Sequence, residues 1–392
     1  MGGTGAWRAL TAYDKGCDVM LESCQAFGKG RSGYVEPEAS HLTSPMMWIL
    51  FSLVLVLVLG LGPVQSQTSN MFERIKQVQK RHEDALFEIS GVNAVGIGKE
   101  GQEYVLHVYV NEEVNPTPGR DVPDQLEGVR VVVIKEKGEF WALTALPLDN
   151  GPEHRQTFPP PVPMGVSTSN DLLCAAGTLG FRAQDPNTGQ VGYITNNHVA
   201  VAGSGLGCPN SAPIGTDQLQ AGVLDSGCNT PATDIGDLDR FIPIQFGLFS
   251  SNLVDAAFVA SSTGLISNSI LDIGPPVGTA RDPVLAEFVQ KSGRTTSLTT
   301  GQVRSVNATV RINYGIIPGL CGSARFLGQV AIVDVFGPFG RGGDSGSPVL
   351  SLSGEPVGLL FGGRVFRCAR FRRTWRCFGG RVWSRGRARR CG

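Results

Sequence analysis

The sequence predicts a mainly β body preceded by a small α/β domain, and three observations carry that expectation. Short apolar runs at 191–195, 253–260, 303–312, 330–335 and 357–361 lie between clusters of Gly, Pro, Asn and Asp, with no sustained helical period. Ahead of them, residues 71–89 place Phe72, Ile75, Val78 and Leu86 at helical spacing among charges, and alternating strand-like segments follow. The composition, 41% hydrophobic and 17% charged over 392 residues, is that of a globular chain with room for two or three domains.

Taken in order, residues 1–46 form an unassigned leader with Cys17 and Cys24. Residues 47–66 read as a signal peptide: the apolar run 48–62 is short for a bilayer span, and Val64-Gln65-Ser66 offers small residues for cleavage before Gln67. Met46 or Met47 is then the natural start, with the preceding residues an overlong gene model. If the run is retained, residues 47–62 become a signal anchor and the protein is bound to a membrane; otherwise it is secreted.

Residues 67–150 form the small α/β domain. After the helix, 91–98, 104–110 and 129–134 read as strands, with a turn at Asn115-Pro116-Thr117-Pro118-Gly119. Gly96-Ile97-Gly98 is read as a strand bend rather than a phosphate cradle, and no catalytic constellation stands out in this domain. Residues 151–166, with Phe158-Pro159-Pro160-Pro161-Val162-Pro163, read as a stiff Pro-rich linker open to processing. The β body spans 167–363. The last 29 residues, 364–392, are an Arg/Cys-rich tail with eleven arginines and no acidic residue. Formal net charge is zero, so the remainder is net negative by eleven, which excludes nucleic-acid binding by the body. A tail of this kind either binds nucleic acid or anionic lipid, or is a divergent or frame-shifted end; the second reading is preferred.

The chemistry starts from Gly342-Gly343-Asp344-Ser345-Gly346-Ser347-Pro348. A serine nucleophile needs an exposed hydroxyl and peptide N–H groups aimed where negative charge develops, and flanking glycines permit both. Ser345 is thus a candidate nucleophile, with the N–H groups of Gly343 and Ser345 as a candidate oxyanion hole. Serine also needs a base. Of five histidines, His41 precedes the apolar segment, His82 falls in the charged helix, His107 alternates within a strand, and His154 borders the Pro-rich run. His198 remains, where a strand ends in Thr195-Asn196-Asn197 just before the imidazole. The third member must be a carboxylate. Asp255 lies in the apolar run Leu253-Val254-Asp255-Ala256-Ala257, where burial is costly unless the group is paired. Asp237 is a distant second, because it shares a polar, loop-like cluster with Asp234 and Asp239.

The order His198, Asp255, Ser345 resembles that of the chymotrypsin-like (trypsin-like) serine peptidases. Thr195-Asn196-Asn197-His198-Val199, Val254-Asp255-Ala256-Ala257 and Gly343 to Pro348 resemble the family's three triad segments. Val289-Gln290-Lys291-Ser292-Gly293-Arg294-Thr295-Thr296 is similar to a segment of bacterial and plant members related to the rice narrow-leaf peptidase. The resemblance covers about residues 170–363. It implies two antiparallel six-stranded β-barrels with the site in the cleft between them, a His198-Asp255-Ser345 triad forming an acyl-enzyme, and a protein or peptide substrate. It also implies a specificity pocket lined by the strand carrying Phe361, Gly362 and Gly363. If loop lengths match the family, Phe339 sits at the pocket base and disfavours arginine or lysine. No Ile-Val-Gly-Gly follows the linker, so Asp344 is expected to find an internal partner such as an arginine. The family's final strand is missing where the tail begins, which leaves a catalytically inactive, peptidase-fold binding protein as the alternative.

No cofactor and no metal are expected: the cysteines show no Cys-x-x-Cys pair, and only His198 neighbours them. Cys174, Cys208, Cys228 and Cys321 are even in number, and Cys208 with Cys228 bracket a loop that a disulfide could close. Asn307-Ala308-Thr309 is a glycosylation sequon. Oligomeric state is not legible.

Overall fold

The computed structural model describes residues 62–143, 153–204, 207–228, 232–314, 321–364, 367–371 and 374–378. The leader 1–46 and the apolar run up to residue 61 lie outside the described residues, as do the side chains of the tail. Among the described residues no helix is long and apolar enough to cross a membrane.

Helix α1 (Gly62–Glu88) buries Ile75, Val78, Leu86 and Phe87, a stripe at helical spacing. It packs on a sheet made by β1 (Val92–Glu100), β2 (Glu103–Asn111), β3 (Gln125–Leu126) and β4 (Val129–Glu136), where Val95, Ile97, Leu106 and Val108 complete the core. β1 and β2 are antiparallel and β4 runs parallel to β2. A short strand, β5 (Phe140–Ala142), ends this N-terminal module.

The first half of the β body contains β6 (Val162–Met164), β7 (Ser167–Asn170), β8 (Gly177–Thr178), β9 (Phe181–Gln184) and β10 (Val191–Thr195). Helix α2 (Asn197–Ala200), β11 (Asp217–Gln220), β12 (Thr233–Phe241), β13 (Ala257–Ala260) and β14 (Ile266–Ile270) complete it. Seven strands form one sheet in the order β8-β7-β11-β12-β13-β10-β9, and β6 pairs β14 in parallel beside it. Leu179, Phe181, Tyr193, Ile194, Leu238 and Val259 fill the core between them. The segment expected as linker, 151–166, thus contributes a buried strand: Val162, Met164 and Val166 alternate with tolerated neighbours and are fully buried. The aspartate cluster expected as a loop is also a strand, with Ile235 and Leu238 of β12 turned inward while the aspartates face outward.

The second half comprises β15 (Phe288–Lys291), β16 (Thr299–Asn313), β17 (Ser323–Asp334), β18 (Pro348–Ser351), β19 (Pro356–Leu359) and β20 (Gly362–Arg364). Two closed six-stranded barrels are not what forms. The seven-stranded sheet has open ends, and the second half belongs to an 11-stranded sheet that continues into the N-terminal module. The cause is the length of β16, 15 residues or roughly 50 Å. One of its edges pairs with β17, while the other pairs with β15 near its start and with β1 from Ser305 to Val310. The sheet therefore curls outward into the module instead of closing on itself. Asn307 of the sequon is half-buried at this junction, its side-chain amide donating to Gln79 Oε1 of α1 at 3.1 Å.

In the tail, β21 (Arg367–Phe371) and β22 (Thr374–Phe378) pair only with each other. The last strand of the body, β20, pairs instead with β5 of the module. The disulfides also differ from expectation. Cys174 joins Cys228 with Cα atoms 5.2 Å apart, and Cys208 joins Cys321 at 5.5 Å. The fold brings the start of β17, not the end of the 208–228 loop, up to Cys208.

Candidate active site

The first half of the body places His198 and Asp255, and the second places Ser345. β10 ends at Thr195, and the side-chain amide of Asn196 donates to the Asp255 carbonyl at 2.7 Å, tying the two segments together. Asn197 clamps the loop opposite, donating to Ile242 and Asn210 at 2.8 Å each. The short helix α2 then turns His198 toward the cleft. On the other side, Gly343 and Gly346 hold φ of +95° and +90°, a region that favours glycine. At Gly346 a Cβ would come within 2.2 Å of the Thr178 carbonyl oxygen and 2.3 Å of Thr195 Oγ1, so no other residue fits that turn. Thr178 N–H donates to the Ser345 carbonyl at 2.7 Å, which pins the nucleophile turn against the first half.

The structure brings His198, Asp255 and Ser345 into one hydrogen-bonded chain. His198 Nδ1 lies 2.6 Å from Asp255 Oδ2, and His198 Nε2 lies 2.6 Å from Ser345 Oγ. All three residues are buried. With Asp255 ionised, Nδ1–H donates to the carboxylate and Nε2 is free to accept the serine proton, the arrangement of a serine-hydrolase catalytic triad. The His198 backbone N–H also donates to Asp255 Oδ1, at 3.3 Å.

Sequence reading missed Tyr314. Its hydroxyl donates to Asp255 Oδ2 at 2.8 Å, and its ring meets the His198 ring edge to face at 5.7 Å. Burial, and then the nearby Asp255 charge, push the phenol pKa well above its usual value, so the proton stays on Tyr314 and the bond keeps its direction. The only sequence signal was a tyrosine at the end of an alternating strand, 59 residues from its partner.

Asp344 finds no arginine. Its Oδ1 accepts from the Thr295 and Thr296 N–H groups at 2.8 and 3.1 Å, and its Oδ2 from Thr296 Oγ1 and the Arg341 N–H at 2.8 Å each. The cation beside it is Lys291, whose Nζ is 3.6 Å from Oδ1 with both side chains fully buried. Burial lowers the Lys291 pKa while Asp344 raises it in part. Arg294, three residues after Lys291, is taken up by Asp225 instead.

The other expected site residues divide. Gly343 N–H points into the cleft, where it donates to the Leu143 carbonyl at 2.5 Å, and the Phe361 carbonyl accepts from the Ser345 hydroxyl at 3.3 Å. Gly362 and Gly363 lie opposite Ala142 and Trp141. Phe339 is in the core with Val289, Val303, Val349 and Val357. Asp237 stays on β12, opposite Asp217 and Ala260. His82 pairs with Glu127, His107 with Ser305, and His154 with Asp272, so none of these approaches Ser345. Among the described residues no group of three or more His, Cys, Asp or Glu is arranged to hold a metal ion.

No family model matches the chain. Over 108 residues it is 33% identical to glutamyl endopeptidase 2 of Streptomyces griseus, an alignment covering 24% of this chain and 54% of that protein. The chain thus matches about half the length of that curated relative. Among solved structures it is similar to the Nocardiopsis protease NAPase, with 19% identity over 50% of this chain and 82% of that one, at a TM-score of 0.33. It is also similar to Thermobifida fusca protease A, with 20% identity over 50% and 81% at 0.32. A structure described as a glutamic acid specific serine protease that utilizes a novel histidine triad in substrate binding aligns with 18% identity over 50% and 83% at 0.34.

Proposed function

We propose that this chain is a serine endopeptidase that hydrolyses protein or peptide substrates through an acyl-enzyme on Ser345. One observation carries the reading: the two 2.6 Å contacts that link Ser345 Oγ through His198 to Asp255, set beside a Gly343 N–H that already binds a carbonyl oxygen. In this reading His198 takes the Ser345 proton, Asp255 orients and stabilises the imidazolium, and the N–H groups of Gly343 and Ser345 hold the oxyanion. Phe361, Gly362 and Gly363 pair with the substrate backbone. Phe339 supports the pocket from the core behind it.

Export is part of the proposal. Two disulfides and the signal-like apolar segment both suit an oxidising, extracytoplasmic compartment. The 67–150 module is assigned an inhibitory role rather than a catalytic one.

A fluorophosphonate probe tests the activity. The wild-type protein is expected to take up the label, and Ser345→Ala to lose it while keeping its fold. A folded wild-type protein that never labels would favour the inactive binding protein.

A further inference from the structure

Away from the cleft, a buried histidine sits where the N-terminal module joins the body. β1 lies between β2 of the module and β16 of the body, with Gly98 opposite Val105 on one side and Ser305 on the other. The His107 ring of β2 crosses Gly98 to reach β16: a Cβ on Gly98 would stand 1.9 Å from the ring carbon Cε1. The second glycine of Gly96-Ile97-Gly98 is thereby explained, since a side chain there would block the crossing. His107 Nδ1 lies 2.8 Å from Ser305 Oγ, and Tyr109 Oη lies 2.7 Å from the same oxygen. All three residues are buried, His107 at 1% and Ser305 at 0% exposure. No substrate reaches Ser305, so a serine beside an imidazole is here a joint and not a second nucleophile.

The joint balances with a neutral ring that carries its hydrogen on Nε2. Tyr109 O–H then donates to Ser305 Oγ, and the Ser305 hydroxyl donates to His107 Nδ1. Nε2 is 3.4 Å from Glu100 Oε1 of β1 but makes no aligned hydrogen bond with it. A proton on Nδ1 reverses one of these bonds. The imidazolium and Tyr109 then both donate to Ser305 Oγ, and the serine hydrogen is left without an acceptor in a buried site.

The charges that act on the ring are Glu100 on β1 and Arg304 on β16; Tyr109 is the titratable neighbour on β2, and β4 sets Val132 opposite His107. Burial first, then Arg304, hold the imidazole pKa below its ordinary 6.5, against a weaker pull from Glu100. Burial also pushes the Tyr109 phenol up to about 12, so that group keeps its proton throughout.

We propose that His107 is an acid-sensitive latch between the N-terminal module and the body: a proton on its ring loosens the β1–β16 joint and with it the module's hold on the body. A folded pKa below the unfolded one means that the joint is at full strength above pH 6.5 and weakens as pH falls through the lower folded value. The latch does not depend on turnover at Ser345.

Hydrogen exchange with mass spectrometry on the full chain tests it, with rates corrected for the intrinsic pH dependence of amide exchange. Protection of 92–100 and 303–310 is expected to fall by about 10-fold in wild type between about pH 7.5 and 5, and to stay level in His107→Gln. Glu100 and Arg304 are exposed, so their variants keep the test decisive if His107→Gln does not fold. Arg304→Gln removes a like charge and is expected to shrink the loss; Glu100→Gln removes an opposite one and is expected to deepen it. Wild-type protection that does not change with pH, an equal loss in His107→Gln, or identical losses in Arg304→Gln and Glu100→Gln overturns the latch.

Discussion

At the scale of single residues, the unusual member of the site is Tyr314. A carboxylate buried as Asp255 is must spread its charge over several donors, and here it has three: the imidazole, the His198 backbone N–H and the Tyr314 hydroxyl. Of these, the hydroxyl alone can be removed without touching the triad. Tyr314→Phe keeps the ring that packs against His198 and deletes one donor to the carboxylate that orients and stabilises the imidazolium. The expected result is a fall of about 10-fold in kcat with KM for a peptide substrate nearly unchanged. Steady-state kinetics on the variant check it; an equal loss in KM would mean that Tyr314 shapes the pocket instead.

At the scale of elements, α1 is fastened to the turn between β3 and β4 by Glu127. Its carboxylate accepts from Arg81 Nε at 2.8 Å and contacts His82 Nε2 at 2.9 Å, while its backbone carbonyl accepts from Arg74 at 2.9 Å. Hydrogen bonds from Arg81, then His82, hold its pKa at about 2 against an ordinary 4.5. A folded pKa below the unfolded one means that the stabilisation is present above pH 4.5 and is lost as pH falls through 2. Amide exchange in α1 is therefore expected to speed up across that window in wild type and to respond less in Glu127→Gln, as hydrogen exchange with mass spectrometry would read. The helix was legible in sequence, because Ile75, Val78 and Leu86 repeat at its period. β5 was not: three residues, Phe140-Trp141-Ala142, carry no alternation to detect, and their partner β20 lies at the other end of the described body. β12 was misread because its aspartates resemble turn formers, while the two inward residues that make it a strand, Ile235 and Leu238, are three apart, with Ile235 at a bulge against β11.

For the whole molecule, the chain order of the triad was readable because each member sits in a short local signature, whereas the sheet was not, because its length depends on which distant edge finds β16. A closed barrel and an outward-curling sheet use the same alternating strands. What holds the halves across the cleft is also non-local. Cys208, in the loop after α2, is joined to Cys321, two residues before β17, across a separation of 113 residues. Tyr314 lies on the same hairpin, its N–H donating to the Gly322 carbonyl at 3.0 Å. Removing this link frees a long loop in the unfolded chain, a loss of about 5 kcal/mol on the chain-entropy account. Cys208→Ser combined with Cys321→Ser is therefore expected to lower the denaturant midpoint of the peptidase body and to raise its m-value, because the unfolded chain without the link is less compact. Because the freed hairpin carries the hydroxyl that supports Asp255, kcat is expected to fall before the fold is lost as denaturant rises. Parallel measurement of activity and tryptophan fluorescence decides: coincident loss of both would place the disulfide's contribution in global stability alone.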